Sequence, residues 1–188
     1  MKHLRFFMLS LVLFLAACGG EIESNISGTV EEFEFTTQDN ETFSSSDLEG
    51  QWWVADFIFT NCTTVCLPMT TNMSELQELL AEEGMDIQLV SFTVDPDYDS
   101  PEVLKEYAES YQADLSNWSF LTGYEFETIQ ELSVNSFRSE AEQLPDTDQV
   151  MHGVRFFLVN PDGEVIKHYY GIDMDEVETI VDDLKIVL

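Results

Sequence analysis

Cys62 and Cys66 lie close together in the stretch TNCTTVCLPM, with three residues between them. A redox-active cysteine pair usually has two intervening residues. The wider spacing leaves three roles open, namely electron transfer, metal binding and a structural disulfide. If Cys62 belongs to the first helical turn, the i, i+4 relation puts both thiols on one face, and from a preceding loop they could still converge. Either arrangement allows one metal ion between the sulfurs, or a disulfide if the Cα atoms come within about 7 Å.

A third donor would favour metal binding over the other two roles. Two histidines follow the cysteines, and His152 comes just before a predicted strand, at the sheet edge where the cysteines are expected. His168 falls within a predicted hairpin strand, where we expect it at the surface. From spacing alone, His152 is equally compatible with a metal ligand and with a surface or capping histidine. Two thiolates and an imidazole suit copper or zinc, and thiolates strongly favour Cu(I).

The segments that flank the cysteines explain why the thiols should be reactive. Residues 51–59 (QWWVADFIF) form a short apolar run, which is typical of a strand buried on both faces. Apolar residues then recur at helical spacing from Met69 to Leu80, and the pattern ends near Gly84. The cysteines therefore lie where a strand ends and a helix begins. The positive end of a helix dipole lowers the pKa of a thiol placed there.

The rest of the chain alternates between strand and helix patterns. The pattern predicts a hairpin at 33–43, strands at 87–94, 118–121, 154–159 and 164–170, helices at 100–110, 125–135 and 174–186, and a polar loop at 140–149. Such alternation requires a mostly parallel sheet with helices on both faces. We expect an α/β, thioredoxin-like fold, with a central mixed sheet flanked by helices and an N-terminal β-hairpin extension.

The first residues indicate where the protein is found. Lys2 and Arg5 precede an apolar stretch that is too short to span a bilayer and is typical of a secretory signal. The stretch ends in Leu-Ala-Ala-Cys, which resembles a bacterial lipobox and implies lipidation of Cys18; an ordinary signal peptide is the alternative. We expect a signal peptide at 1–17, a lipidated tether at 18–28 and one domain at 29–188. This arrangement places the protein on the extracytoplasmic face of the cell membrane, and an oxidising compartment permits a disulfide between the two remaining cysteines.

The charge of the chain restricts its partners. All 37 acidic residues follow Cys18, whereas only five of the seven Lys and Arg do, which leaves a net charge of −32 on that part. Such a surface argues against nucleic acid and against electrostatic docking on anionic lipid. It could attract cations or a basic partner, or reflect adaptation to a salty environment.

Several longer stretches resemble one family closely. DFIFTNCTTVCLPMT, SFTVDPDYDSP, NWSFLTGY and DQVMHGVRFFLVNPDGEVIKHYYG are similar to segments of the Sco/SenC family, the copper-binding assembly factors for cytochrome c oxidase. The resemblance implies a thioredoxin-like fold in which Cys62, Cys66 and His152 bind one copper ion. It implies a role in maturing the CuA centre of oxidase subunit II. Asp95 matches a family aspartate associated with tuning the copper site and with partner contact, although it could equally be a turn residue.

One position departs from the family pattern. Many members have Pro directly after the first cysteine, whereas this chain has Thr63. We expect Thr63 or Thr64 to cap the following helix instead. The departure bears on metal affinity and redox potential more than on the function itself.

Two functions remain open from the sequence. The first is a copper-binding assembly factor, monomeric and anchored by its lipid. The second is a membrane-tethered thiol–disulfide oxidoreductase that reduces the cysteines of a partner without delivering copper. Peroxide reduction is a weaker third hypothesis.

Overall fold

An eight-stranded mixed sheet runs through the protein, for which a computed structural model describes residues 20–188. The predicted signal peptide and Cys18 lie outside the described residues. The strands are β1 (Gly28–Thr29), β2 (Glu34–Thr37), β3 (Thr42–Ser44), β4 (Trp53–Ile58), β5 (Gln88–Thr93), β6 (Trp118–Thr122), β7 (Ala141–Gln143), β8 (Val150–His152), β9 (Arg155–Val159) and β10 (Glu164–Tyr170). The helices are α1 (Cys66–Glu82), α2 (Pro101–Ser110), α3 (Phe126–Phe137) and α4 (Met174–Val187).

The strand order in the sheet is β1-β10-β9-β4-β5-β6-β2-β3. Strands β4, β5 and β6 are parallel and form the centre, whereas the pairings on either side are antiparallel. Strands β7 and β8 form a separate two-stranded hairpin. The predicted mixed sheet and its N-terminal hairpin, β2–β3, are therefore confirmed.

Helices cover both faces of this sheet. The apolar residues of α1, α2 and α4 pack in one cluster on one face, and those of α3 pack in a second cluster with Phe33 and Phe35. All six residues of β4 are buried. Burial on both faces explains why this strand has a continuous apolar sequence rather than an alternating one. Among residues 20–188, no helix is long and apolar enough to cross a bilayer.

Local sequence signals fix several element boundaries. The Oγ of Ser100 accepts the backbone N–H of Val103, and Pro101 is the first residue of α2, as expected for an N-cap followed by Pro. Gly84 has φ +70 directly after the end of α1, a conformation that glycine adopts without strain. These signals confirm the predicted start of α2 and the predicted end of α1.

Two segments differ from the prediction. The polar stretch 140–149 was predicted to be a loop, but β7 pairs with β8 over Ala141–Gln143. Two of the three residues of β7 are exposed, so this short strand has no apolar pattern from which it could be predicted. The predicted tether is also ordered from Gly20 onward. Ile22 is buried, and the side-chain amide of Asn25 exchanges two hydrogen bonds with the backbone of His168. Asn25 thus pairs with the β10 edge as a strand residue would.

Candidate metal centre

The two cysteines lie at the junction between β4 and α1. Cys66 is the first residue of α1 and is buried, whereas Cys62 lies in the preceding loop and is half-buried. The Sγ of Cys62 accepts the backbone N–H of Cys66 at 3.3 Å. No side chain caps the helix at its N-cap residue, Val65, so the sulfur satisfies one of the free N–H groups of the first turn. Both cysteines are free thiols.

This position explains why Thr63 and Thr64 do not cap the helix. The helix begins after both threonines, and the Cys62 sulfur already takes the N–H group that a hydroxyl would accept. The expectation that Thr63 or Thr64 would be the cap is therefore wrong. The hydroxyl of Thr63 instead donates to Oε1 of Gln149, and the Thr64 hydroxyl lies 3.8 Å from the Cys62 sulfur.

His152 approaches the cysteines from the β7–β8 hairpin. Its Nε2 lies 3.2 Å from the Sγ of Cys66, and its Nδ1 lies 3.0 Å from the backbone oxygen of Gly153. Because a carbonyl only accepts, Nδ1 carries the proton and donates it there, so Nε2 presents its lone pair to Cys66. The ring also meets Phe59 edge to face, at 5.8 Å between ring centroids. These contacts orient Nε2 toward the sulfurs, as in many metal-binding histidines.

The two thiols have opposite electrostatic environments. Hydrogen bonds to the Cys62 sulfur, foremost that of the Cys66 thiol, lower the Cys62 pKa to about 3. The Cys66 pKa is raised, first by its hydrogen bond to the Cys62 sulfur and then by burial. Cys62 is therefore a thiolate near neutral pH, while Cys66 keeps its proton between two acceptors, the Cys62 sulfur and the imidazole.

Together, these residues form the group with metal-site geometry in the described part of the chain. The Sγ atoms of Cys62 and Cys66 and a ring nitrogen of His152 all lie within 4.8 Å of one another. Atoms bound to one transition-metal ion at about 2.0 to 2.3 Å are at most about 4.6 Å apart. Only a small movement would bring the three donors onto one ion, and two sulfurs with one imidazole fit copper or zinc.

His168, the second histidine considered, lies away from this group. It is half-buried on β10, and its backbone is paired with Asn25. Burial and the nearby Arg155 lower its pKa. The structure therefore separates the two histidines and brings only His152 to the cysteines.

Asp95 lies two residues beyond the end of β5 and is not among the clustered metal donors. Partial burial raises its pKa, and the neighbouring Asp99 adds to that effect. Asp99, rather than Asp95, contacts the start of the cysteine loop, because its carboxylate accepts hydrogen bonds from both the backbone N–H and the hydroxyl of Thr60. The same carboxylate also accepts the hydroxyl of Thr93. Asp99 thus fixes the residue from which the cysteine loop leaves β4, a role that the sequence did not single out.

Asp56 was also missed by the sequence analysis. It lies in β4, is fully buried, and neither of its carboxylate oxygens has a hydrogen-bond partner. Burial raises its pKa to about 7. Its negative charge contributes to raising the pKa of the Cys66 thiol. A lone acidic residue within the apolar run QWWVADFIF was the signal that could have revealed it.

Comparisons with known proteins agree with this geometry. The SCO1/SenC family matches residues 23–188. The SCO1 protein homolog of Bacillus subtilis (strain 168) is 43% identical over 176 residues, which make up 93% of this chain and 91% of that relative.

Solved structures extend the likeness to three dimensions. A SCO1/SenC family lipoprotein from Bacillus anthracis str. Ames has a TM-score of 0.82 and 47% identity, covering 85% of this chain and 95% of that one. BsSco, described with a disulfide switch and as a member of the Sco family of cytochrome c oxidase assembly proteins, has a TM-score of 0.79 and 42% identity over 86% of this chain and 94% of its own. Yeast Sco1 with copper bound has a TM-score of 0.68 and 25% identity over 84% and 89%.

These matches bear on both the fold and the family. The structural similarity confirms the predicted thioredoxin-like fold. The family match covers nearly all of the described residues, and Cys62, Cys66 and His152 lie within the matched range 23–188. The chain belongs to the SCO1/SenC family.

Proposed function

We propose that this protein binds one copper ion through Cys62, Cys66 and His152 and acts in the assembly of cytochrome c oxidase. The observation that carries the proposal is the cluster of two sulfurs and one imidazole nitrogen within 4.8 Å. Copper is favoured over zinc because thiolates bind Cu(I) strongly and imidazole accepts both oxidation states of copper. A related protein, yeast Sco1, has been solved with copper bound.

The environment of each donor suits a metal that is bound and later handed on. Cys66 is buried and lies against His152, so these two residues form the inner side of the site. Cys62 is half-buried and faces solvent, so a partner can approach the site from that side. Three protein donors leave an open position, through which an incoming ligand of the partner can exchange with those of this chain.

The proposal includes a location and a partner. Lipid on Cys18 would hold the domain on the extracytoplasmic face of the membrane, and the B. anthracis relative is described as a lipoprotein. The partner is cytochrome c oxidase subunit II, whose CuA centre receives the copper or the reducing equivalents. The description of BsSco as a member of a family of cytochrome c oxidase assembly proteins supports this assignment.

Copper titration tests the metal site. Residues 20–188 are reduced and titrated with Cu(II), and we expect an intense thiolate-to-copper absorption band that saturates at one equivalent. His152→Ala should weaken copper binding and change the band, because one of three donors is lost. His168→Ala is the matched control and should behave like the wild type, since His168 lies outside the cluster. The proposal fails if the wild type shows no band, and the ligand set fails if His152→Ala binds copper unchanged.

Thiol–disulfide reduction is a second candidate, favoured by the asymmetry of the two thiols. The Cys62 thiolate would attack a disulfide of the partner, and one partner sulfur would leave as a thiolate that takes up a proton. Cys66 would then lose its proton and displace the other partner sulfur, so that the partner gains two electrons and this chain keeps a Cys62–Cys66 disulfide. Turnover with a model disulfide substrate that is unchanged in His152→Ala would favour this candidate.

A further inference from the structure

The loop that carries Cys62 is attached to the hairpin that carries His152. Gln149 immediately precedes the hairpin strand β8, three residues before His152. Its Nε2 donates to the backbone oxygen of Asn61 at 3.0 Å, and its Oε1 accepts the hydroxyl of Thr63 at 3.3 Å. One amide therefore holds the residue before Cys62 and the residue after it.

Neighbouring contacts reinforce this attachment. Asp148 accepts the side-chain amide of Asn61 at 2.7 Å, and it also accepts Nε2 of Gln149 at 3.2 Å. The backbone N–H of Leu144 donates to the backbone oxygen of Gln149 across the hairpin, so the backbone of Gln149 is itself held. Asn61 is thus bound to the hairpin through both its backbone and its side chain.

Within residues 20–188, the hydrogen bonds that join the Cys62 loop to this hairpin are the two of Gln149 and the one of Asp148. His152 reaches Cys66 directly, whereas the Cys62 sulfur accepts the Cys66 N–H and lies 3.8 Å from the hydroxyl of Thr64 in its own loop. The position of the Cys62 sulfur relative to the imidazole therefore depends on how its loop is held. Gln149 supplies the connection on both sides of Cys62, from the residue directly before the strand that carries His152.

We propose that Gln149 is a positioning residue, whose side-chain amide holds Cys62 in place relative to His152 and so completes the three-donor site. The inference rests on the proposed copper function and adds a residue that touches none of the donor atoms. It also explains a role for Thr63, because a proline at that position would lack the hydroxyl that donates to Gln149.

A copper-free measurement tests the positioning directly. The Cys66 amide N–H donates to the Cys62 sulfur, so its hydrogen-exchange rate reports whether that sulfur is in place. Gln149→Met keeps the length of the side chain and removes its hydrogen bonds to Asn61 and Thr63, together with that to Asp148, and we expect the Cys66 amide to exchange about tenfold faster. Amides of the buried strand β4 should keep their wild-type rates. Gln143→Met, an exposed position on the same hairpin, is the matched control and should leave the Cys66 rate unchanged.

A copper measurement tests the consequence for the metal. The rate at which copper leaves the protein, measured by transfer to an excess of a chelator, should rise about tenfold in Gln149→Met and stay unchanged in Gln143→Met. Thr63→Val should show a smaller increase. Introducing Thr63→Val into Gln149→Met should add nothing, because the hydroxyl has by then lost its acceptor.

The outcomes separate this inference from the proposed function. The inference is overturned if Gln149→Met leaves either the Cys66 exchange rate or the copper dissociation rate at the wild-type value. It is also overturned if exchange rises equally throughout β4, since that result would indicate a general loss of stability. If the wild type binds no copper, the proposed function fails, and the exchange experiment still decides whether Gln149 holds the Cys62 loop.

Discussion

Cys62 and Cys66 have only three residues between them but differ in ionisation and access to solvent. Cys62 is a half-buried thiolate with a pKa of about 3, whereas the pKa of the buried Cys66 is raised. Since alkylation requires the thiolate, iodoacetamide should modify Cys62 well before Cys66 in the reduced, metal-free protein, even at pH 5. Peptide mass spectrometry after brief labelling measures the ratio. Equal labelling of the two cysteines, or a preference for Cys66, would contradict the assignment.

Asp56 makes the stability of the metal-free protein depend on pH. The Asp56 carboxyl has a pKa of about 7 in the folded protein against an ordinary value of 3.8, so the folded state binds an additional proton between these pH values. Stability is therefore lost as the pH rises from about 4 to about 7, and the loss is complete above pH 7. A shift of this size corresponds to up to roughly 4 kcal/mol.

Replacing Asp56 by Asn should remove this dependence. We expect urea denaturation to show Asp56→Asn as more stable than the wild type at pH 8 and close to it at pH 4. Asp97→Asn, which changes an exposed acid, controls for the reduction in total negative charge. A stability difference between wild type and Asp56→Asn that is the same at both pH values would show that the carboxyl does not titrate in this range.

Residue types revealed part of the site, and three-dimensional contacts revealed the rest. The chemistry of Cys62, Cys66 and His152 could be predicted because sulfur and imidazole are uncommon in this chain and fall at the ends of strands. The role suggested for Gln149 could not, because a glutamine in a polar stretch has no distinguishing pattern and its partners are brought together only by the loop geometry. The copper-ligand assignment itself stays a prediction until the titration is done.

At the scale of elements, the N-terminal segment is attached to the edge of β10. The side chain of Asn25 donates to the backbone oxygen of His168 at 2.9 Å and accepts its N–H at 2.8 Å. Asn25→Ala should remove both hydrogen bonds, speed amide exchange at His168, and reduce the free energy of unfolding by about 1 kcal/mol. Ser27→Ala, two residues further along and exposed, is the control. An unchanged His168 exchange rate would show that the segment is not held there.

Elements with a strong periodic pattern were predictable, whereas those defined by pairing were not. Strand β4 and helix α2 were found from a continuous apolar run and from the Ser100–Pro101 cap. Strand β7 and the docked segment around Asn25 lack such patterns, because their outer residues are polar and their order comes from hydrogen bonds to distant strands. The helix cap supplied by Cys62 was equally hidden, since sulfur is not a usual capping atom.

At the scale of the whole molecule, the excess of acidic residues should oppose folding at low ionic strength. The part of the chain after Cys18 has a net charge of −32, and mutual repulsion of these charges is weaker when the protein is unfolded and extended. Salt shortens the range of repulsion from about 30 Å at 0.01 M to about 3 Å at 1 M. We expect the melting temperature to rise by at least about 2 to 4 °C between 0.01 M and 0.5 M NaCl, equivalent to about 1 kcal/mol. Choline chloride should act similarly, and a melting temperature that falls with either salt would contradict this account.

Helix α1 also determines how far the metal centre stands from the N-terminus. Cys66 begins the helix, and Glu83 at its far end forms an ion pair with Lys185, beside Ile186, against which Gly20 is tightly packed. The 17 residues of α1 span about 24 Å at 1.5 Å per residue. If lipid on Cys18 anchors the protein, the anchor is only two residues from Gly20. Helix α1 then acts as a rigid spacer between the membrane and the metal centre, and a flexible linker is not involved. Metal exchange would then take place at a fixed distance from the membrane surface, on the side of the domain that faces away from the bilayer.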